Sequence, residues 1–452
     1  MTSQSKKRCL SPFLLAGLAL PIWAQEPLSL KEAVRLALAG HPSLEAAAAQ
    51  VKAAETRRGQ ARSGQLPKLS YSESWQRSDN PVFVFSSLLT QHQFGEQNFA
   101  IGPLNRPDAM NNFQSQLTLD QSLWDAGMTK KQVRSAELGQ QLTGEDERRA
   151  RMAVIAGVVR AYNGIVLGQD SLSVAREAVR SAQADLERAE NRRAAGVATD
   201  ADVLAIRVHL AAMREQEIRR GYDVEIARAA LNEALGLPLD TPHQLTTGLV
   251  PLPPVEAPLA SREESARQSR PEARQVRLAS SLAETQSELA RASRLPQVSF
   301  RVSFEADRQR FVTRGGANWF AGAFLRWNLF DGFSGKARVA EANQAILRAR
   351  AQEKQISAAV SREVRRAYLD LQASQERIQV AEASVAEAQE NLRIVKNRYE
   401  NGLTSVTELL RSETALAETR VRRLAAVHDQ RLASAALELA AGTLSADSSV
   451  LN

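Results

Sequence analysis

Cysteine is nearly absent from this chain. Among 452 residues there is one, Cys9, inside a stretch that reads as a cleavable export signal. The mature chain would therefore carry no disulfide, no thiol chemistry and no cysteine-based metal site. Aromatic residues make up only 5%, too few for a thick globular core. The five histidines, His41, His92, His209, His243 and His428, are scattered without metal-ligand spacing. No Walker-type loop or nucleophile motif is present, and Asp331-Gly332 with Gly335-Lys336 lacks the spacing of a phosphate loop. Catalysis has no candidate residue, so no enzyme and no cofactor are implied. Beyond the first 24 residues, no stretch is expected to be apolar enough for a transmembrane helix.

Ala, Arg, Glu, Gln and Leu are abundant instead, the composition of long helices packed through small residues. The formal charge of +7 suggests nucleic acid at first sight. Lys6, Lys7 and Arg8 supply three of those charges and positions 1–24 hold no acid, so the mature chain would carry +4. The other arginines interleave with glutamate, as in QERIQVAEASVAEAQENLR (375–393), the pattern of a solvated helix face and not of a nucleic-acid stripe. Residues 1–24 join a basic KKR (6–8) to the apolar run CLSPFLLAGLAL (9–20). That run is too short to span a bilayer and fits a secretory signal cleaved after Ala24. Cys9 opens the run and is badly placed for lipid modification at a cleavage site.

The chain repeats itself. Tyr162 and Tyr368, Gly196 and Gly402, Leu231 and Leu437, and Gly236 and Gly442 are each 206 positions apart. Upstream, Pro42 pairs with Pro271, and LPKLSY (66–71) with LPQVSF (295–300), at an offset of 229. Two units follow, 25–250 and 251–445, the first with an insertion of about 23 residues between Tyr71 and Trp124.

Each unit opens with a helix, at 30–60 in the first, broken near Gly40-His41-Pro42. Proline then ends the helical pattern and the apolar period changes from 3.6 to 2. Strands are expected over 67–77 and 113–124 in one unit and over 296–306 and 318–330 in the other, joined by loops at 78–112 and 307–317. Val298, Phe300, Val302 and Phe304 alternate with Ser299, Arg301, Ser303 and Glu305; the last strand is apolar on both faces. The lengths suit tilted membrane-spanning strands of about ten residues. Long helices follow at 128–194 and 334–400. Their heptads place Val158, Ile165, Leu172, Val179 and Leu186 beside Ala161, Gly168, Ala175, Ala182 and Ala189, a large-small seam for close coiled-coil packing. Short tips at 195–199 and 401–405 lead to return helices at 200–236 and 406–442. A Pro-rich crossover, 237–260, is expected to be irregular.

The tips are the sharpest local feature. In RYENGLTSVTEL (398–409) and RRAAGVATDADV (192–203), Gly402 and Gly196 end one helix in the left-handed conformation. Ser405 with Glu408, and Thr199 with Asp202, then have capping-box spacing.

Four membrane-type strands cannot close a barrel, and an open sheet edge in lipid is prohibitively costly. The expected fold is therefore α+β: a barrel shared between copies of the chain, continued by a long coiled-coil tube. Three copies give twelve strands and a water-filled lumen, whereas two give eight, which side chains plug.

An exported, duplicated chain of strand, strand, long helix, tip and helix, with Tyr399-x-x-Gly402 before the second tip, resembles the TolC-like outer-membrane efflux channels over essentially its whole mature length. The resemblance implies a homotrimer in the outer-membrane lipid with its helical barrel in the periplasm. It implies the exit duct of a tripartite efflux pump, docked at its tips by a periplasmic adaptor and fed by an inner-membrane transporter. Gly196, Val197, Gly402 and Leu403 match the small-apolar tip motif that adaptors recognise. Asp202 and Tyr399 fall where the family places an acid–tyrosine gate contact, and Glu408 matches an acidic-ring position. Arg411 stands where a second acidic ring would be, and Thr404 where some members carry a gating arginine.

Asp202 and Glu408 have two readings, as carboxylates ringing the narrowest point of a trimer or as N3 residues capping the return helices. Within the inserted loop (80–105), Val82, Phe83, Val84 and Phe85 would fold across the pore mouth, enter the lipopolysaccharide zone or pack the outer rim. Tyr71, Trp75, Trp124, Trp319 and Trp327 would form interfacial belts, with Trp124 alternatively in the core. The same fold would serve type I protein secretion or metal-ion efflux. An exported coiled-coil scaffold is the rival of a different class; it accounts for the heptads but not for the paired alternating strands.

Overall fold

Heptad packing sets the long axis of the molecule. The computed structural model describes residues 27–254, 257–313 and 315–452; the expected export signal lies outside the described residues. In chain order, β1 (Pro27–Leu28), α1 (Leu30–Gly40) and α2 (Pro42–Arg62) precede β2 (Lys68–Ser78), α3 (Pro81–Thr90), α4 (Ile101–Asn105) and β3 (Met110–Trp124). Then come α5 (Met128–Ala194), α6 (Asp200–Leu235), β4 (Gln244–Leu245), α7 (Leu259–Ser269) and α8 (Pro271–Ala292). The order closes with β5 (Gln297–Arg308), β6 (Gly316–Arg326), α9 (Ser334–Glu400) and α10 (Val406–Ala441).

The helices α5 and α9 have 67 residues each, about 100 Å at 1.5 Å per residue. Val158, Val179, Ala182 and Ala189 are buried along the α5 seam, as are Val364, Leu371 and Ile378 along α9. At Gly168 a Cβ would come within 3.3 Å of Val224 Cγ2, so the small residue lets α5 and α6 approach closely. The two seams differ toward the tips. Burial continues along α5 to Ala189, whereas on α9 no described residue after Ile378 is fully buried.

The strands form one antiparallel sheet in the order β2-β3-β5-β6. Its register sorts the side chains cleanly. Tyr71, Leu117, Phe304 and Trp319 lie in one row across the sheet, beside a row of Leu69, Leu119, Val302 and Ala321. The other face carries Ser72, Gln116, Glu305 and Asn318 in one row and Ser70, Thr118, Ser303 and Phe320 in the next. Tyr71, Trp75 and Trp319 are exposed on the apolar face. Among the described residues, the outer edges of β2 and β6 have no partner strand.

Two boundaries correct the sequence reading. The strand expected over 318–330 ends at Arg326; Trp327 instead donates its indole N–H to the Arg294 carbonyl at 3.2 Å, and Phe330 stacks edge-on to Phe333. The expected loop 78–112 contains helix α3, because Asn80 Oδ1 accepts from the Val82 and Phe83 amides at 3.0 and 3.3 Å and Pro81 opens the first turn. This helix lies against the polar face of the sheet. Gln91 Nε2 donates to Asn112 Oδ1 at 2.8 Å, Asn112 Nδ2 to Asp307 Oδ1 at 2.7 Å, and Asn318 Nδ2 to the Thr90 carbonyl at 3.1 Å.

Sheet and helices meet at a repeated junction. Asp125 accepts from the Gly127 and Thr129 amides at 2.9 and 2.7 Å, and Asp331 from the Gly335 amide at 2.6 Å. Each aspartate thus binds amides in the first turn of a long helix, which turns the chain from strand into helix.

Midway along the tube sits the largest core. The crossover, expected to be irregular, supplies β4, which pairs in parallel with β1. Tyr162, with no exposed surface, donates to the Leu28 carbonyl at 2.8 Å and accepts from the Thr247 amide at 2.9 Å. Arg431 donates to the carbonyls of Val250 and Asn452 at 3.0 and 3.1 Å. Residues around Leu28, the crossover and the C-terminal segment thus form a belt around the helices. This belt also amends the expectation about transmembrane helices. One 18-residue window of α5 reaches a mean hydropathy of 1.3, and its Val158, Tyr162 and Ile165 are buried in the belt's core rather than turned toward lipid.

Candidate functional site: the paired helical tips

Both tips close by the same backbone device. Gly196 and Gly402 have φ of +75° and +74°. The Gly402 amide donates to the Tyr399 carbonyl at 3.0 Å and the Leu403 amide to the Arg398 carbonyl at 2.8 Å. The Gly196 and Val197 amides do the same to Arg193 and Arg192, both at 2.9 Å. These are Schellman caps, which require a residue that tolerates positive φ. A Cβ at either glycine would meet nothing within 4 Å, so backbone conformation, not crowding, selects glycine. Val197 and Leu403 project from the turns, 66% and 68% exposed.

The return helices start differently. Thr199 and Asp202 form the full capping box, with Asp202 Oδ2 accepting from the Thr199 amide at 3.1 Å. Ser405 makes no side-chain cap, which overturns the capping box expected for Ser405 and Glu408. Glu408 Oε1 instead accepts from Arg411 Nη1 at 3.0 Å. One turn along an exposed helix face, the arginine competes with the cap for the carboxylate and holds it.

Tyr399 is not hydrogen-bonded to Asp202, whose carboxylate serves Thr199. Its ring packs instead with Ala189, Val203, Ile206 and Val406. Burial, then the Asp202 charge, pushes its phenol above the ordinary value. The cation at this place is Arg192, whose Cζ lies 5.4 Å from the Tyr399 ring centroid while Nη1 donates to the Glu400 carbonyl at 2.8 Å. Sequence reasoning missed Arg192, because the contact joins residues 207 positions apart on different hairpins.

A second group missed in the sequence lies just above. Ser181 on α5 donates to Glu413 Oε1 on α10 at 3.0 Å, and His209 Nε2 on α6 lies 3.6 Å from Glu413 Oε2. Asp185 pairs with Arg188 and lies one turn along α5 from Ser181, on the same helix face. Burial, reinforced by the Asp185 carboxyl, pushes Glu413 up to about 8. Burial also opposes ionisation of Asp185, but its hydrogen bonds to Glu413 and Arg188 and the Arg188 charge win and hold it below the usual range. Burial keeps His209 below its ordinary value against the pull of Asp185. Between α6 and α10 runs an open groove of about 680 Å³, with Leu204, Val208 and Leu410 on its walls and Arg411 beside them.

The family model described as outer membrane efflux protein matches residues 33–237 and 264–443, which takes in both hairpins, both strand pairs and the belt helices. The chain belongs to the outer membrane efflux protein family. Among curated relatives, Protein CyaE of Bordetella pertussis is 28% identical over 425 residues, covering 93% of this chain and 85% of that protein. Alkaline protease secretion protein AprF of Pseudomonas aeruginosa is 25% identical over 431 residues, covering 92% and 85%. Among solved structures, the Campylobacter jejuni CmeC outer membrane channel superposes with a TM-score of 0.77 at 18% identity, covering 99% of this chain and 96% of that one. The efflux-channel resemblance read from the repeat, the strands and the tips is thereby established. In a member of this family, the sheet with one apolar and one polar face is the membrane part of an outer-membrane channel, and the helical hairpins extend from it.

Proposed function

We propose that three copies of this efflux channel assemble into one conduit: a twelve-stranded barrel in the outer membrane continued by a helical barrel through the periplasm. Substrate handed over by an inner-membrane transporter and its periplasmic adaptor would leave the cell passively through it. The observation that carries the trimer is the open sheet. Edges at β2 and β6 that lie in lipid must pair with other copies. The unburied seam of α9 beyond Ile378 supplies a matching helical face for a neighbour. In this assembly the face of Ser72, Gln116 and Glu305 lines the lumen, and α3 sits at its outer mouth.

The adaptor would meet the tips at Gly196, Val197, Gly402 and Leu403, with the groove between α6 and α10 receiving its helices. Asp202, Tyr399, Glu408 and Arg411 would line the closed end. The test is chemical cross-linking and single-channel recording of the full chain purified from outer membranes. A trimer with a discrete cation-responsive conductance is expected. Release of the protein from membranes by carbonate, or a monomer with no conductance, overturns the proposal.

A second reading concerns the client. AprF is named for secretion of an alkaline protease, and its match spans 92% of this chain. The cargo would then be an unfolded polypeptide exported from the cytoplasm in one step. A strain lacking this chain that loses a secreted protein while keeping its resistance to small toxic molecules would favour this reading.

A further inference from the structure

Near the tips, one carboxyl stands where four helices converge and where the family reading gives it no task. Glu413 sits seven residues into α10, about 10 Å from the helix start at 1.5 Å per residue. Its side chain is 8% exposed and that of His209 11%, and the Asp185 side chain is 3% exposed. The groups that face it are Ser181, Asp185, Arg188 and Glu177 from α5 and His209 from α6. From α9 come Lys396 beside Glu413, Tyr399 near Asp185 and Glu400 near Arg188, and from α10 itself Arg420. Arg188 is engaged by Asp185, and Arg420 by Glu177 at 2.7 Å. No described cation salt-bridges Glu413 other than His209, at 3.6 Å, and burial disfavours the protonated imidazole.

Two oxygens in this group have no hydrogen-bond partner although buried, Asp185 Oδ2 and Glu413 Oε2. Asp185 stands one turn along α5 from Ser181, which binds Glu413 at 3.0 Å, so the two buried carboxyls lie at one face of α5. Ionised carboxylates placed side by side repel, and a single shared proton converts the repulsion into a hydrogen bond. A cavity of about 250 Å³, bordered by Ser181, His209, Met213, Leu392 and Leu416, gives that proton a way in.

We propose that Asp185 and Glu413 form a proton-binding site that fastens the second hairpin (α9 and α10) to the first (α5 and α6) within one protomer. With the proton bound, Glu413 bridges Ser181 and Asp185. Without it, two buried anions face each other and α10 is driven off α5, loosening the tip end of the tube. Glu413 has its folded-state value raised, so its contribution is fully present below the unfolded value near 4.5 and is lost as pH rises through about 8. Asp185 and His209, both lowered, contribute stability that is lost on acidification. The proton is therefore still held at neutral pH, while the latch weakens progressively from about pH 4.5 upward and has lost this contribution in alkali. Proton binding follows from the chain alone, whereas its effect on conduction rests on the channel reading above.

The experiment has two arms on the full-length protein. Infrared titration in detergent micelles reads the protonated carboxyl stretch between pH 6 and 9.5. A band that disappears with a midpoint near 8 and is missing in Glu413→Gln is expected. Its persistence in that variant, or its absence from the parent at pH 6, overturns the site. Hydrogen exchange over 406–420 reads the latch. Exchange in the parent should rise about tenfold or more between pH 7 and 9 after correction for intrinsic rates, and Glu413→Gln should stay protected. Asp185→Asn is the second variant and should move the infrared midpoint toward acid, because the repelling charge is gone. An unmoved midpoint in Asp185→Asn, or equal exchange in the parent and Glu413→Gln at pH 9, refutes the coupling. Loss of conductance with the infrared titration intact would count against the channel reading and not against the proton site.

Discussion

Arg192 on the first hairpin covers the Tyr399 ring of the second at 5.4 Å and donates to the Glu400 carbonyl at 2.8 Å. The two tips of a protomer are thus fastened by a cation above an aromatic face and by a charged hydrogen bond to the last turn of α9. The pairing stabilises the joined tips by about 1–2 kcal/mol. Arg192→Gln should therefore raise the spontaneous open probability of the channel in planar bilayers about tenfold, with little change in thermal stability, since the belt core lies far away. Tyr399→Phe, which keeps the ring, should behave like the parent. Equal open probabilities for Arg192→Gln and the parent would remove this contact from the gate.

Glu408 and Arg411 make the second prediction. A carboxylate paired at 3.0 Å on an exposed face is partly neutralised, although such a pair contributes only about 0.3–0.5 kcal/mol to stability. Glu408→Ala alone should then reduce divalent-cation block of the conductance only slightly. Arg411→Ala, which uncovers the carboxylate, should strengthen block several-fold at low ionic strength. Conductance measured against added divalent cation decides it, and weaker block in Arg411→Ala would reverse the assignment.

The third prediction separates shape from recognition at the tip. Gly402→Ala forces a Cβ into the left-handed region at a cost of about 1–2 kcal/mol, so the tip should fray and exchange its amide hydrogens faster. Leu403→Gln leaves the backbone unstrained. It should fold normally yet lose capture of the periplasmic adaptor in a pull-down with the purified partner. Full adaptor binding by Leu403→Gln would move the docking surface away from the tip.

Much of this arrangement was legible in the sequence because its causes are local or periodic. A large residue every seven positions with a small one three places on has few solutions besides a close helix pair, and alternating Val298 to Phe304 has few besides a two-faced strand. Features created by distant pieces meeting were not legible. Two-residue strands such as β1 and β4 have no period to read. Nothing in the neighbourhood of Tyr162 announces that its hydroxyl will bind a carbonyl 134 positions away. The Asn80-Pro81 start of α3 is a local signal, but the helix it opens has only 10 residues, too few to show a helical period. Ser405 shows the reverse error. Its spacing to Glu408 was right for a cap, and a better partner for the carboxylate, Arg411, stood three residues on.

The belt gives the final prediction. The Tyr162 hydroxyl satisfies the Leu28 carbonyl and the Thr247 amide at once, at 2.8 and 2.9 Å, in a place where its side chain has no exposed surface. Tyr162→Phe keeps the ring but strands the Thr247 amide and leaves the Leu28 carbonyl only its bond from the Thr246 amide at 3.2 Å, which should cost about 1–3 kcal/mol. The loss should be local, because the hydroxyl ties only β1 and the segment after β4 to α5, while Gln430 and Arg431 on α10 hold the crossover further on at Leu252 and Val250. Limited proteolysis should then cut near residues 27–30 and 244–250 well before the parent is cut. Trimer mass and the tip-dependent conductance should persist. Uniform unfolding, with no early cleavage at the belt, would mean that the strap and the helices form a single cooperative unit.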